Sequence, residues 1–255
     1  MSRRLVFLAD AHLFPAPVPH PGRERLLGLL ESLRSSETGD LWIAGDLFDY
    51  WFEHGGRAPR GHEEVLSAIR ALGTAGWRVY FLPGNHDWWV GSSFTDASGA
   101  SVVRSRIVHL ESDGLKIELA HGDGLGGGDF GYRFLLRPLL RNPVSIALFS
   151  LLPAAVGCLL GRAASGTSRR ILRKQKETMP EGLRRWAEER LAGEADVVIT
   201  AHTHLAAEMP AGRGLHISLG DWISSFTWAE VREGRARLLA SPEESPAASD
   251  SGGIR

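Results

Sequence analysis

Leu5-Val6-Phe7-Leu8-Ala9-Asp10-Ala11-His12 is a short apolar run that breaks abruptly into an acid, a small residue and an imidazole. An unbroken apolar run of this length reads as a strand buried on both faces, and it is too short for the core of a signal peptide. Leu41 to Ala44 repeats the pattern and leads into Gly45-Asp46. Between the two runs, Leu26, Leu27, Leu29, Leu30 and Leu33 fall at helical spacing and predict a helix over Arg23 to Leu33. A second amphipathic helix is expected over Glu63 to Leu72, and a third strand over Trp77 to Leu82. This β-α-β-α-β opening predicts an α/β core.

Further strands are expected over Arg106 to His109, Leu115 to Ala120, Asp196 to Ala201 and Leu215 to Leu219. A closing hairpin is expected from Phe226 to Val231 and Arg235 to Ala240, with Glu233-Gly234 as its turn. The chain has 255 residues, 43% hydrophobic and 23% charged, which fits one globular domain over residues 1–240. The tail at 241–255, rich in Pro, Ser, Ala, Gly and Glu, is expected to be disordered. A formal net charge of -1 excludes a chain-wide basic footprint for nucleic acid. The single cysteine, Cys158, has no intramolecular partner, which fits a reducing compartment.

The pattern changes between His121 and Asp196. A glycine-rich loop at Gly124 to Gly128, apolar helical segments, a basic stretch from Arg169 to Lys176 and a helix over Glu181 to Leu191 follow one another. We read residues 125–191 as a helical lid inserted over the active site. No residue from Asn142 to Gly161 is charged. A spanning helix needs about 20 mostly apolar residues. Pro143, Pro153 and Gly157 interrupt this run, and Arg133, Arg137, Arg141 and Arg162 bracket it, so an interfacial or lid helix is expected.

Short motifs rich in metal ligands stand mostly at the ends of the expected strands: Asp10-Ala11-His12, Gly45-Asp46 continuing to Asp49, Gly84-Asn85-His86-Asp87, His121-Gly122-Asp123, and Ala201-His202-Thr203-His204. Loops at strand ends converge while the strands stay rigid, which is where α/β sheets place ligands. Carboxylate, imidazole and amide oxygen together suit Mn, Fe or Zn better than an all-oxygen Mg or Ca site. Two such ions about 3.5–4 Å apart clamp a phosphate and acidify a shared water, which attacks phosphorus in line.

In this order, the motifs resemble the calcineurin-like metallophosphoesterase superfamily, whose signature runs DxH, GDxxD, GNHD, H and GHxH. Ala201, in place of the last glycine, is the departure. The resemblance implies a sandwich of two mixed β-sheets flanked by helices, and two divalent ions, manganese first with iron or zinc as alternatives. It implies that Asp10, His12, Asp46 and His204 bind one ion. Asp46, Asn85, His121 and His202 would bind the other, with Asp46 bridging. His86 is the implied catalytic group, stabilising charge on phosphate or protonating the leaving group, and Asp87 is expected to orient it.

Gly45 to Phe52, and His121-Gly122-Asp123-Gly124-Leu125 leading to Asp129-Phe130-Gly131-Tyr132, look like the UDP-2,3-diacylglucosamine pyrophosphohydrolases of lipid A synthesis. That likeness implies cleavage of a lipid-linked UDP-sugar by attack at the α-phosphate, giving UMP and 2,3-diacylglucosamine 1-phosphate. It implies a peripheral enzyme on the cytoplasmic face of the inner membrane. Many members of that group carry arginine where this chain has His86, and histidine there is the general superfamily pattern. Asn85, His86, Asp129 and His202 are the expected substrate contacts. Ser168, Arg169, Arg170, Arg173 and Lys174 of the lid are candidates for the diphosphate. A soluble phosphodiesterase or phosphatase acting on nucleotides or phosphoproteins is the alternative enzyme. A metal-dependent scaffold without catalysis is the alternative from another class.

Overall fold

In a computed structural model, residues 3–53, 56–126 and 178–241 are described, together with Asn142, Val144, Ser145 and Leu148. The lid candidates Asp129, Ser168, Arg169, Arg170, Arg173 and Lys174, the tail from residue 242 onward and Cys158 lie outside them.

The first apolar run forms β1 (Arg4–Leu8), followed by α1 (Arg23–Arg34), β2 (Gly39–Ile43), α2 (Glu63–Thr74), β3 (Arg78–Phe81), α3 (Ser92–Ser98) and β4 (Ser101–Val102). Then come β5 (Val108–Ser112), β6 (Leu115–Ala120), α4 (Glu181–Ala192), β7 (Val197–Thr200), β8 (Ala206–Ala211), β9 (Gly214–Leu219), β10 (Thr227–Arg232) and β11 (Arg235–Ala240). They build two mixed sheets, one ordered β11-β10-β1-β2-β3-β4 and the other β5-β6-β7-β9-β8. In the first sheet, β1, β2, β3 and β4 run parallel, and β10 joins β1 antiparallel. In the second, β6, β7 and β9 run parallel between the antiparallel edges β5 and β8.

Side chains alternate across a strand, so β1 serves two cores at once. Leu5, Phe7 and Ala9 face the second sheet and pack with Leu119, Ile199, Ile217 and Leu219. Val6 and Leu8 face the other way, onto Leu26, Leu30, Val65 and Ile69 of α1 and α2. Leu191 and Ala187 of α4 cover Val198 on the outer face of the second sheet. The result is helices, sheet, sheet and helix, in that order, and β1 reads as continuously apolar because both of its faces are covered.

Boundaries differ from expectation in informative places. The strand expected over Arg106 to His109 runs instead over Val108–Ser112, because Asp113 and Gly114, both at positive φ, close a hairpin onto β6. Glu233 and Gly234, at φ 53 and 70, make the predicted tight turn between β10 and β11.

Phe7 is fully buried between the sheets. Phe7→Ala should cost about 3–5 kcal/mol and lower the urea midpoint of unfolding without changing its slope.

Candidate metal centre

The parallel strands bring their C-terminal ends to one edge, and the motif loops are knitted together there by main-chain bonds. Asp10 N–H donates to the Gly45 carbonyl at 3.0 Å, and His12 N–H to the Asp46 carbonyl at 2.9 Å. Ala201 N–H donates to the His121 carbonyl at 2.9 Å, and Trp222 N–H to the Asp10 carbonyl at 3.1 Å. Asp10, His12, Asp46, His202 and His204 all have positive φ, between 47 and 70°. That region is unfavourable for side chains bearing a Cβ, and it persists where surrounding bonds over-determine the backbone. Asp10 Oδ2 accepts from the His202 N–H at 2.7 Å, and Asp46 Oδ1 from the His86 N–H at 2.9 Å. Each carboxylate therefore leaves its other oxygen for the site.

The side chains converge in overlapping groups: Asp10, His12 and His204; His12, Asp46 and His86; Asp46, His121 and His202. Within each group the ligand atoms lie within 4.8 Å of one another. Asp46 Oδ2 stands between the halves, 3.8 Å from His12 Nε2 and 3.5 Å from His121 Nε2. His12 Nε2 and His204 Nε2 face each other at 3.0 Å. Asn85 Oδ1 lies 3.2 Å from His121 Nε2. Every metal ligand expected from the sequence is thus part of one cluster, as is His86.

The donors are oriented from behind. His121 Nδ1 donates to the Ala44 carbonyl at 2.8 Å, and His204 Nδ1 lies 3.2 Å from Asp221 Oδ2. Both leave Nε2 turned inward. Asp10 Oδ1 and the Nδ1 of His202 are buried without a hydrogen-bond partner. Buried polar atoms left unpaired are costly, and convergent carboxylate and imidazole lone pairs are what divalent cations satisfy. The residues fit two divalent ions, with Asp46 belonging to the His12 group as well as to the His121 and His202 group.

Asp87 departs from its expected role. Its carboxylate accepts from the backbone N–H of Asp46 at 3.2 Å, Leu47 at 2.8 Å and Gly84 at 2.9 Å. It pins the two glycine loops together, while His86 is oriented by its own Nδ1 donating to the Asp49 carbonyl at 2.7 Å. A side chain sequence reasoning missed is Asp221, behind His204. Its signal is Gly220-Asp221 after an apolar strand, the same arrangement as Gly45-Asp46.

Electrostatics separates the ligands. Burial pushes Asp10 up to about 6, against the pull of His204 and His121. Burial also acts to raise Asp46, but the attraction of His121 and His86 outweighs it and holds the carboxyl well below its usual range. Burial alone would lower His121, yet Asp46 raises it to about 10. His204 is raised against burial by its hydrogen bond to Asp221. Burial drives His12 well below its usual value, His86 adding to it, and takes His202 to about 4, with His121 adding to it.

The calcineurin-like phosphoesterase family model matches residues 3–206, which contain all of these ligands. The chain belongs to that family. Within it, a UDP-2,3-diacylglucosamine hydrolase of Porphyromonas gingivalis is 31% identical, the match covering 96% of this chain and 99% of that one. A UDP-2,3-diacylglucosamine hydrolase of Ectopseudomonas mendocina is 30% identical over 95% of this chain and 100% of that one. The matched span takes in Asp10, His12, Asp46, Asn85, His121, His202 and His204, the residues that the structure gathers into this cluster.

Two outcomes follow for a calcineurin-like centre built this way. A Cβ at Gly84 would lie 2.1 Å from Asp46 Oδ1, so Gly84→Ala must displace the Asp46 carboxylate. Elemental analysis after dialysis should find this variant depleted of metal while its far-ultraviolet circular dichroism is kept. Ligation also needs ionised carboxylates and neutral imidazoles. Groups raised to about 6 at Asp10 and about 10 at His121 must shed protons to bind metal, so affinity should climb as pH rises through that window. Titration calorimetry in buffers of different ionisation enthalpy should register proton release, and buffer-independent heats would contradict it.

Proposed function

We propose that this protein hydrolyses the diphosphate of UDP-2,3-diacylglucosamine to UMP and 2,3-diacylglucosamine 1-phosphate. The observation that carries this reading is the end-to-end likeness to two UDP-2,3-diacylglucosamine hydrolases, in a chain whose ligand cluster is complete. Asp10, His12, Asp46 and His204 would hold one ion, and Asp46, Asn85, His121 and His202 the other. When bound, the ions supply positive charge that polarises the phosphate and acidifies a nearby water.

The chain's own groups do the rest. Asp46, held from behind by the His86 N–H, is placed to span both halves of the site. Asn85 offers a neutral amide, able to contact phosphate without adding charge. His86 Nε2 is buried without a partner and belongs to the group of His12 and Asp46, which supports a role for it toward the reacting phosphate. With Nδ1 donating to Asp49, a protonated His86 donates through Nε2 to a phosphate or leaving-group oxygen as negative charge develops. Asp87 serves as a positioning residue for the loops that carry Asp46 and His86. Manganese, the metal implied by the likeness to the lipid A hydrolases, is the proposed native ion, with iron or zinc as the alternatives that the same donors suit.

For the substrate's acyl chains we look to the insertion. Val144 and Leu148, one helical turn apart in sequence, are 64% and 61% exposed. An apolar pair so placed suits contact with acyl chains or the bilayer interface, and we propose peripheral attachment at the cytoplasmic face of the inner membrane. Among the described residues, no helix is long and apolar enough to cross a membrane. Asp129, Ser168, Arg169, Arg170, Arg173 and Lys174 remain the proposed lid contacts to the lipid-linked UDP-sugar.

Manganese-loaded protein should turn over UDP-2,3-diacylglucosamine in detergent, and reaction in ¹⁸O-labelled water should leave the label in UMP. His86→Ala should reduce kcat by about 10²–10⁴-fold, the range for a positioned acid. Rapid hydrolysis of soluble phosphodiesters without turnover of the lipid would move the substrate to the soluble class. Replacing Val144 and Leu148 together by Asp should lower turnover of the diacylated substrate and spare a soluble phosphodiester.

A further inference from the structure

Asp221 is the second residue after β9 and is fully buried. Its two carboxylate oxygens have different tasks. Oδ1 accepts from the backbone N–H groups of Ile223 at 3.2 Å, Ser224 at 2.7 Å and Ser225 at 3.1 Å. That oxygen holds the local turn. Oδ2 reaches the opposite way, 3.2 Å from His204 Nδ1, while the Ser224 hydroxyl lies 3.3 Å from it. The next residue, Trp222, donates its N–H to the Asp10 carbonyl at 3.1 Å, so the same turn is tied to a second ligand loop.

We propose that Asp221 is a positioning residue for the metal half formed by Asp10, His12 and His204, acting through the tautomer and orientation of His204. The proposal rests on the two-metal reading of the centre. A carboxylate is acceptor-only when ionised, so the ring nitrogen facing Oδ2 must carry the hydrogen. That leaves the lone pair of the neutral ring on Nε2, the atom that faces His12 Nε2 at 3.0 Å. The carboxylate also makes the imidazole a stronger donor to a cation, the usual consequence of an acid hydrogen-bonded behind a metal-binding histidine. On the other half, His121 receives its orientation from the neutral Ala44 carbonyl. The two halves are therefore supported by groups of different charge.

The isosteric change Asp221→Asn separates the two tasks. The amide oxygen can keep the turn's N–H donors. The amide nitrogen, now a donor, would face His204 Nδ1 and force the hydrogen onto Nε2, where it blocks ligation. The full-length chain should be stripped of metal and titrated with Mn²⁺ against a competing fluorescent chelator. The wild-type chain should bind two ions, and Asp221→Asn should keep one while the other weakens by about 10- to 100-fold. In a His204→Ala background, adding Asp221→Asn should change Mn²⁺ affinity no further. A general structural role would instead add a second loss. Nitrogen-15 chemical shifts of His204 in the metal-free proteins, read at alkaline pH where the ring is neutral, should report the Nδ1–H tautomer in wild type and the Nε2–H tautomer in the variant. Wild-type affinity for both ions in Asp221→Asn, or an unchanged tautomer, overturns the proposal. A wild-type chain that takes up fewer than two ions overturns instead the two-metal reading beneath it.

Discussion

Asp46 is 1% exposed, and its Oδ2 lies within 3.8 Å of His12 Nε2 and 3.5 Å of His121 Nε2, on opposite sides of the site. A buried carboxylate between imidazoles is tolerable only where opposite charge or donors compensate its lost hydration. The surrounding architecture supplies that compensation. β1 and β2 lie side by side in parallel, so their ends deliver Asp10-Ala11-His12 against Gly45-Asp46. β6 and β7 are also parallel, and bring His121 and His202 up from the second sheet. The inter-sheet core of Phe7, Leu119, Ile199 and Ile217 fixes the distance between the two pairs. Packing in that layer therefore sets the dimensions of the centre.

The same constraint explains the backbone. Ligands held at positive φ point their side chains inward from very short loops, at a conformational cost repaid by the hydrogen-bond net around Asp10, Asp46 and Asp87. Close approach matters equally: Gly84 sits where any side chain would collide with Asp46. Asp87 belongs to this net, which is why its two oxygens serve main-chain donors and leave the orientation of His86 to the Asp49 carbonyl.

Much of this was legible in the sequence because the centre is made at strand ends, where an apolar run meets its polar stop. Such a junction is visible one strand at a time. What stayed illegible depends on partners far along the chain. Strand β8 contains Pro210, a residue that argues against a strand, and it exists because an edge position does not require that N–H. Helix α3 is rich in Ser and Thr and has weak intrinsic propensity. It is held by Glu53, whose carboxylate accepts from the backbone N–H groups of Gly91 and Phe94. Asp221 has a recognisable Gly-Asp context, but nothing local says that its carboxylate meets His204. The Asp113-Gly114 turn is itself a local signal, and it carries the strand before it later along the chain than the expected Arg106 to His109.

Anomalous diffraction from manganese-loaded crystals tests the central claim, that Asp46 joins two metal sites, most directly. The account predicts two peaks about 3.5–4 Å apart, one beside Asp10, His12 and His204 and one beside Asn85, His121 and His202, with the Asp46 carboxylate touching both. A single peak, or two peaks with Asp46 bound to only one, would contradict it.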